Sequence, residues 1–263
     1  PAIPLDLVSR TRLLERLDSG RVKPLTLIAA PAGYGKSVLI SDWLEHCDWP
    51  SAWLSLDKDD SDLRHFLFYF TAAVQSVFPH ACEGILDLAK ASQLPTVPVL
   101  VSSISNELDA LDQPFILVID DYQLIEVQSP VNELLQLLLE HPPIPLHLVI
   151  IARRDPALSL TALRARGQLN EVRMHDLRFD TEEVRAMLES TRQFITSNDV
   201  LEIMNRQLEG WVVGLRLVSL ALRHVEDPDT FVIELRGGLP QIQEYLLREV
   251  LAAQGPEVRE RML

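Results

Sequence analysis

Four side chains stand out for the chemistry they could do. Lys36 and Ser37 stand near the end of the run Leu25 to Leu39, which reads LTLIAAPAGYGKSVL, and Asp120 and Asp121 close the run FILVIDD. The first run follows the pattern G-x-x-x-x-G-K-[ST], with Ala30 where the first glycine normally stands. Such a loop binds phosphate. Gly33 and Gly35 let the backbone turn and bring the amides of Ala32 to Val38, those of Tyr34 and Lys36 among them, close to phosphate oxygens. The helix that starts near Lys36 directs its positive end at the same oxygens. Lys36 would bridge the β- and γ-phosphates, and the Ser37 hydroxyl would ligate Mg²⁺. Asp120 supplies the metal-side carboxylate, and Asp121 is placed to orient or deprotonate an attacking water.

These groups need a scaffold. Leu25 to Ala30 is a short apolar run suited to a buried parallel strand. Ala52 to Leu56, Phe115 to Asp121, Leu146 to Ala152 and Leu169 to Met174 read as four more strands. The fourth ends at Arg153, where ligand groups gather in open α/β sheets, and an arginine there could sense a γ-phosphate. Helical spacing connects the strands: Ser9 caps a helix carrying Leu13, Leu14 and Leu17, and Lys36 to His46 carries Val38, Leu39, Trp43 and Leu44 inward. Phe66 to Phe78, Val101 to Leu111 and Glu133 to Leu139 are also helical, while Glu83 to Leu100 is ambiguous. The acidic loop Asp57, Asp59, Asp60 and Asp62 reads as a solvated helix entrance. It is not a calcium loop, because Asp62 and Phe68 stand where that loop needs Gly and Glu. Arg164 and Arg166 read as a solvated helix face. From Thr181 onward the strand pattern stops and helices are expected near 181, at 198–207, 209–223 and 230–235. Gly237 and Gly238 then mark a break before a further amphipathic unit at 242–251.

Composition narrows the class. The chain has 263 residues, 47% hydrophobic, enough for a large core. A net charge of −14 argues against this segment gripping nucleic acid by itself. Cys47 and Cys82 lack CxxC spacing and read as free thiols of a reduced, cytoplasmic protein. No apolar run reaches membrane-spanning length, Arg216 and Arg223 interrupting the best one. His65, His80, His141 and His147 lack ligand spacing. The last residues fall inside a helical pattern, so the chain reads as part of something longer.

The order APAGYGKS, LVIDDY, RRDP, LRARGQLNEV, DLRF, EGWVVGL and YLLREVL resembles the N-terminal part of the large ATP-dependent LuxR-type transcription regulators. Those belong to the signal-transducing ATPases with numerous domains. The resemblance implies an α/β fold: a parallel P-loop NTPase sheet in the order 5-1-4-3-2, flanked by helices. A small all-helical domain and the start of a winged-helix-like module would follow, with divisions at 1–178, 179–236 and 237–263. It implies an ATP/ADP switch with Mg²⁺ and slow hydrolysis, in which the ATP form self-associates. DNA would be met through a C-terminal domain and an inducer through a sensor domain, both outside this chain. By motif, Lys36 and Ser37 hold phosphate and Mg²⁺, Asp120 is the metal-side acid, Asp121 the hydrolytic acid and Arg153 the sensor. Val8 to Arg10 would cover the adenine with backbone groups. The wider class carries a Gly-x-Pro in its helical domain; here Gly214, Leu215 and Arg216 stand without the proline. Trp211 reads as a core anchor. Two other readings stay open: a P-loop ATPase or kinase acting as an enzyme in its own right, and an interaction module with a degenerate nucleotide site.

Overall fold

The computed structural model describes residues 7–190 and 198–222. The expected helices at 230–235 and 242–251, the break at Gly237 and Gly238, and the winged-helix-like module at 237–263 lie outside the described residues. The described chain divides into two compact units. One gathers residues of 13–30 and 42–173; the other gathers those of 1–12, 31–41 and 174–263.

The first unit is built on five strands: β1 (Leu25–Ala29), β2 (Ser51–Ser55), β3 (Phe115–Asp120), β4 (Leu146–Ala152) and β5 (Leu169–Arg173). All pairings are parallel and the order is β2-β3-β4-β1-β5, the order the resemblance implied. Every residue of β1, β3 and β4 is buried, which is why these runs read as unbroken apolar stretches. Edge strand β2 alternates instead, with Ala52 and Leu54 inward.

One face of the sheet carries the main core. Leu25, Leu27, Leu117, Ile119, Leu148 and Ile150 pack there with α3 (Leu63–Gln75), α4 (Glu83–Lys90), α5 (Val97–Asp109) and α6 (Pro130–Glu140), through Phe66, Phe70, Ile85, Ile104 and Leu135. Asp62 caps α3 by accepting from the His65 amide at 2.9 Å, and Ser129 caps α6 ahead of Pro130. The stretch that was ambiguous in sequence splits into α4 and α5, separated by a connection containing Pro95. The acidic loop is not wholly solvated: Asp60 is buried and accepts from the Asp57 amide at 2.7 Å. Tyr69 of α3 faces outward, stacked on His65.

The other face holds a polar network. Thr26, on β1, meets His147 Nε2 at 3.0 Å, His147 Nδ1 meets the Lys23 carbonyl at 2.7 Å, and Asn170 donates to Thr26 at 3.2 Å. The Lys23 carbonyl can only accept, so Nδ1 carries the proton and Nε2 accepts from Thr26. The Trp43 indole, near the end of α2 (Lys36–His46), donates to Asp18 of α1 (Thr11–Gly20). Gly20 lies against Asn170, whose side chain a Cβ there would displace. Helix α2 buries a different set from its expected stripe: Leu39 and Trp43 are inside together with Ile40, Ser41 and Asp42, while Val38 and Leu44 are only half-buried.

The first unit also holds the short α7 (Leu160–Ala165), and the second unit is helical beyond β5: α8 (Met174–Leu177), α9 (Thr181–Ser190), α10 (Asn198–Leu208) and α11 (Val212–Leu222). Helix α11 starts three residues later than the sequence suggested. Glu209 and Gly210 take left-handed φ values of 48° and 67°, and no helix runs through such a pair. Gly210 is packed so closely on the Phe179 backbone that a Cβ would sit 2.6 Å from its nitrogen.

Candidate nucleotide site

The phosphate loop runs on directly from β1. The Ala30 amide still bonds to the Ala152 carbonyl at 3.3 Å, extending the β1–β4 ladder by one step. This explains why Ala serves at the first-glycine position: the residue is still in extended pairing and needs no special φ. The demand falls later, on Gly33 at φ 82° and Gly35 at φ 74°. Both lie in the left-handed region, which glycine adopts at no steric cost. The Leu39 amide bonds to the Gly35 carbonyl at 2.9 Å, so the first hydrogen bond of α2 closes at the loop itself. Lys36 donates to the Pro31 carbonyl at 3.0 Å, folding its stem along the loop. Ser37 and Val38 occupy the first turn of α2 and are half-buried; the Ser37 carbonyl accepts from Ser41 Oγ at 2.9 Å. Ala32 is exposed.

Tyr34 was expected only for its amide. Its ring is buried, and burial pushes the phenol above its usual pKa against the lowering pull of Arg178. Two further residues reach the loop from the helical segment. The Trp211 indole N–H donates to the Ala32 carbonyl at 3.3 Å, and the Val213 amide donates to the Gly33 carbonyl at 3.0 Å. Sequence reasoning placed Trp211 in a helical core and did not anticipate this. No spacing rule joins residues about 180 positions apart; the visible signal was a buried-type aromatic beside two glycines.

Val8 is buried, just ahead of α1. Arg10 is buried too, but its side chain turns to the segment after β5. It pairs with Glu183 at 3.2 Å, donates to the carbonyls of Asp176 and Arg178, and lies 4.9 Å from the Phe179 ring centre. Burial lowers its pKa, and Glu183 opposes that shift. The Arg10 side chain is thus committed to this segment.

The acidic pair sits at the carboxyl end of β3. Asp120 is buried, and its Oδ1 accepts from the Asp121 amide at 2.8 Å. Asp121 turns out of the strand at φ 57°, a conformation non-glycine residues adopt rarely and mostly at constrained sites. Gln123 then links two of the expected residues. Its Nε2 donates to Asp121 Oδ1 at 2.6 Å, and its Oε1 accepts from the Arg153 amide at 2.9 Å. The Arg153 side chain is exposed just past β4. Gln123 carried no motif signal and was missed. Two other arginines near this edge are occupied. Arg164, exposed as expected, holds Glu171 by two bonds of 2.8 Å, and Arg173 pairs with Glu171 and Asp155. Hydrogen bonding from Arg164, reinforced by Arg173, lowers the Glu171 pKa to about 2.

A parallel five-stranded sheet in this order, with a strand–phosphate loop–helix unit on β1 and a buried strand ending in Asp on β3, defines the P-loop NTPase fold. Solved structures agree. One is a signal transduction ATPase with numerous domains, carrying a tetratricopeptide repeat sensor, from Pyrococcus horikoshii. It matches with a TM-score of 0.61 at 18% identity over 97% of this chain and 34% of its own. The Walker-type ATPase of Pyrococcus abyssi matches with a TM-score of 0.59 at 15% identity, over 98% of this chain and 77% of its own.

Within that class, sequence points to one group of relatives. The chain is 34% identical over 247 residues to the HTH-type transcriptional regulator MalT of Yersinia pestis, and 31% identical over 259 residues to MalT of Yersinia enterocolitica. It is a homologue of these regulators over 93% and 97% of its own length and spans 27% and 28% of theirs. No family model matches the chain. Among the described residues, no helix is long and apolar enough to cross a membrane.

Proposed function

We propose that this chain is the ATP/ADP-binding switch domain of a LuxR-type transcription regulator, cytoplasmic, with slow ATP hydrolysis that controls self-association and activation. The observation that carries the reading is the loop itself: two glycines in left-handed conformation, hung between a buried central strand and the start of a helix, in a P-loop NTPase sheet. That geometry turns successive amides toward one point and suits a di- or triphosphate.

In this reading the amides of Ala32 to Val38 and the Lys36 ammonium hold the phosphates. Ser37 and Asp120 supply a hydroxyl and a carboxylate oxygen, the hard donors Mg²⁺ prefers. Mg²⁺ would neutralise charge on the phosphate oxygens. Asp121 orients or deprotonates water, Arg153 senses the γ-phosphate, and the backbone of Val8 and Arg10 covers the base. The switch works only if nucleotide binds two arrangements unequally, and a γ-phosphate met by Arg153 in one of them would supply the difference. Similarity to the MalT regulators supports the regulatory role, with DNA and inducer met through other domains of a longer protein. The domain limits 1–178, 179–236 and 237–263 are part of the same proposal.

Calorimetric titration of ADP and Mg-ATP into the wild-type chain and Lys36→Ala tests it. Saturable binding by wild type, weakened at least about a hundredfold by loss of the ammonium, is expected. Equal affinity in both proteins, or none in wild type, would leave the nucleotide reading without support. Denaturing the purified protein and identifying released adenine nucleotide by mass gives an independent check.

A further inference from the structure

Resting on the nucleotide-binding reading, we infer that Trp211 and Val213 are positioning residues for the phosphate loop. They fix the orientation of two successive peptide planes, so the first turn of α11 tunes nucleotide affinity without touching the nucleotide.

The argument is one of peptide geometry. In a trans peptide the C=O and the following N–H point in opposite directions. The Ala32 carbonyl accepts from the Trp211 indole, so the Gly33 N–H points away from α11. The Gly33 carbonyl accepts from the Val213 amide, so the Tyr34 N–H points away as well. These are amides that a phosphate loop turns toward its anion. A loop with glycines at 33 and 35 does not hold such planes by itself, because glycine readily visits other φ/ψ regions. Two donors from outside supply the restraint.

Those donors are themselves held. Trp211 is buried, its amide bonds to the Leu208 carbonyl, and its own carbonyl accepts the first hydrogen bond of α11 from Leu215. Its ring lies over Gly214, where a Cβ would run into it. The Val213 N–H is one of the helix-start donors that have no partner within the helix, so the bond to Gly33 costs the helix nothing. Gly33 completes the fit: a Cβ there would lie 2.5 Å from Trp211 Nε1 and 3.1 Å from Val213 Cγ2. This also gives a use to the segment EGWVVGL. Coupling of this kind is reciprocal, so phosphate that orders the loop amides must also tighten the first turn of α11.

Two measurements on the 263-residue chain test the inference. In calorimetry, Trp211→Ala and Val213→Pro are each expected to weaken ADP about tenfold, the scale of one lost hydrogen bond, with Trp211→Phe between them and wild type. Val213→Pro removes the donor at a helical position whose N–H makes no bond within the helix. In hydrogen exchange on wild type, ADP should slow the Val213 amide about fivefold or more, and Lys36→Ala should abolish that response. Should the variants fail to fold, the exchange measurement decides alone. ADP binding by wild type, with both variants within about twofold of it, overturns the inference and leaves the nucleotide reading standing. So does a Val213 exchange rate that saturating ADP leaves unchanged. Absence of ADP binding by wild type overturns both.

Discussion

Asp121 and Arg153, which lie at the carboxyl ends of neighbouring strands, are joined through one side chain. Gln123 donates to Asp121 Oδ1 at 2.6 Å and accepts from the Arg153 amide at 2.9 Å. A glutamine can serve both because its two ends differ: the NH₂ suits a carboxylate and the carbonyl suits an amide. Asp121 stands at left-handed φ. The bridge therefore fixes the direction of an acid whose backbone is already constrained.

If Asp121 handles the attacking water, Gln123→Ala should slow phosphate release from ATP about tenfold while leaving the ADP dissociation constant unchanged. Placing Gln123→Ala on an Asp121→Asn background should then add nothing, since the residue acts through that acid. Steady-state turnover of the four proteins checks this. Additive losses would mean that Gln123 acts elsewhere.

Gly33→Ala should destabilise the fold as well as the site. A left-handed non-glycine residue costs about 1–2 kcal/mol, and the added methyl would press on Trp211 and Val213. A melting temperature about 5 °C lower, together with lost ADP protection, is expected in thermal denaturation. Gly35→Ala meets no neighbour within 4 Å, so only the backbone term should appear there.

His147 should set an acid limit to stability. Burial, opposed by its bond to the Lys23 carbonyl, lowers its pKa from the ordinary 6.5 to about 4. As pH falls below 6.5 the unfolded chain takes up a proton that the folded chain refuses. Stability is therefore full above that value and declines as pH drops toward 4, by about 3 kcal/mol in total. His147→Asn, which keeps a donor near the Lys23 carbonyl, should flatten this slope at some cost in packing. Urea unfolding of both proteins at pH 7.5 and pH 5 measures the difference.

Glu171 acts in a lower window. Its pKa of about 2 lies below the ordinary 4.5, so the pairing with Arg164 and Arg173 is present above the ordinary value and lost only as pH falls toward 2. Glu171 is partly exposed and Arg164 largely so. Glu171→Gln should then cost no more than about 1 kcal/mol at neutral pH, less at high salt. Chemical denaturation at two ionic strengths would show it.

The residues that were legible in advance are those whose environment is local. Buried parallel strands such as Leu146–Ala152 must be apolar throughout, and a phosphate loop must place glycine where φ is positive, so both leave a mark in a short window of sequence. The boundaries that shifted did so for equally local reasons that carry no such mark: Glu209 shows nothing in its type that announces a left-handed φ. Asp60, read as solvated, is buried, and one of its carboxylate oxygens accepts from the Asp57 amide.

A central strand ending in a phosphate loop, an acid pair on another strand and a helical part after the sheet can all be read from the residues alone. Periodicity and glycine chemistry are properties of the chain near each residue. It took the folded chain to show that Gln123 ties Asp121 to Arg153, that Arg10 turns to Glu183, and that Trp211 and Val213 cap the carbonyls of Ala32 and Gly33. Each of those is a hydrogen bond between distant parts of the chain or a choice among several donors within reach. Such bonds form only where packing has already brought the partners together, and no local pattern encodes them.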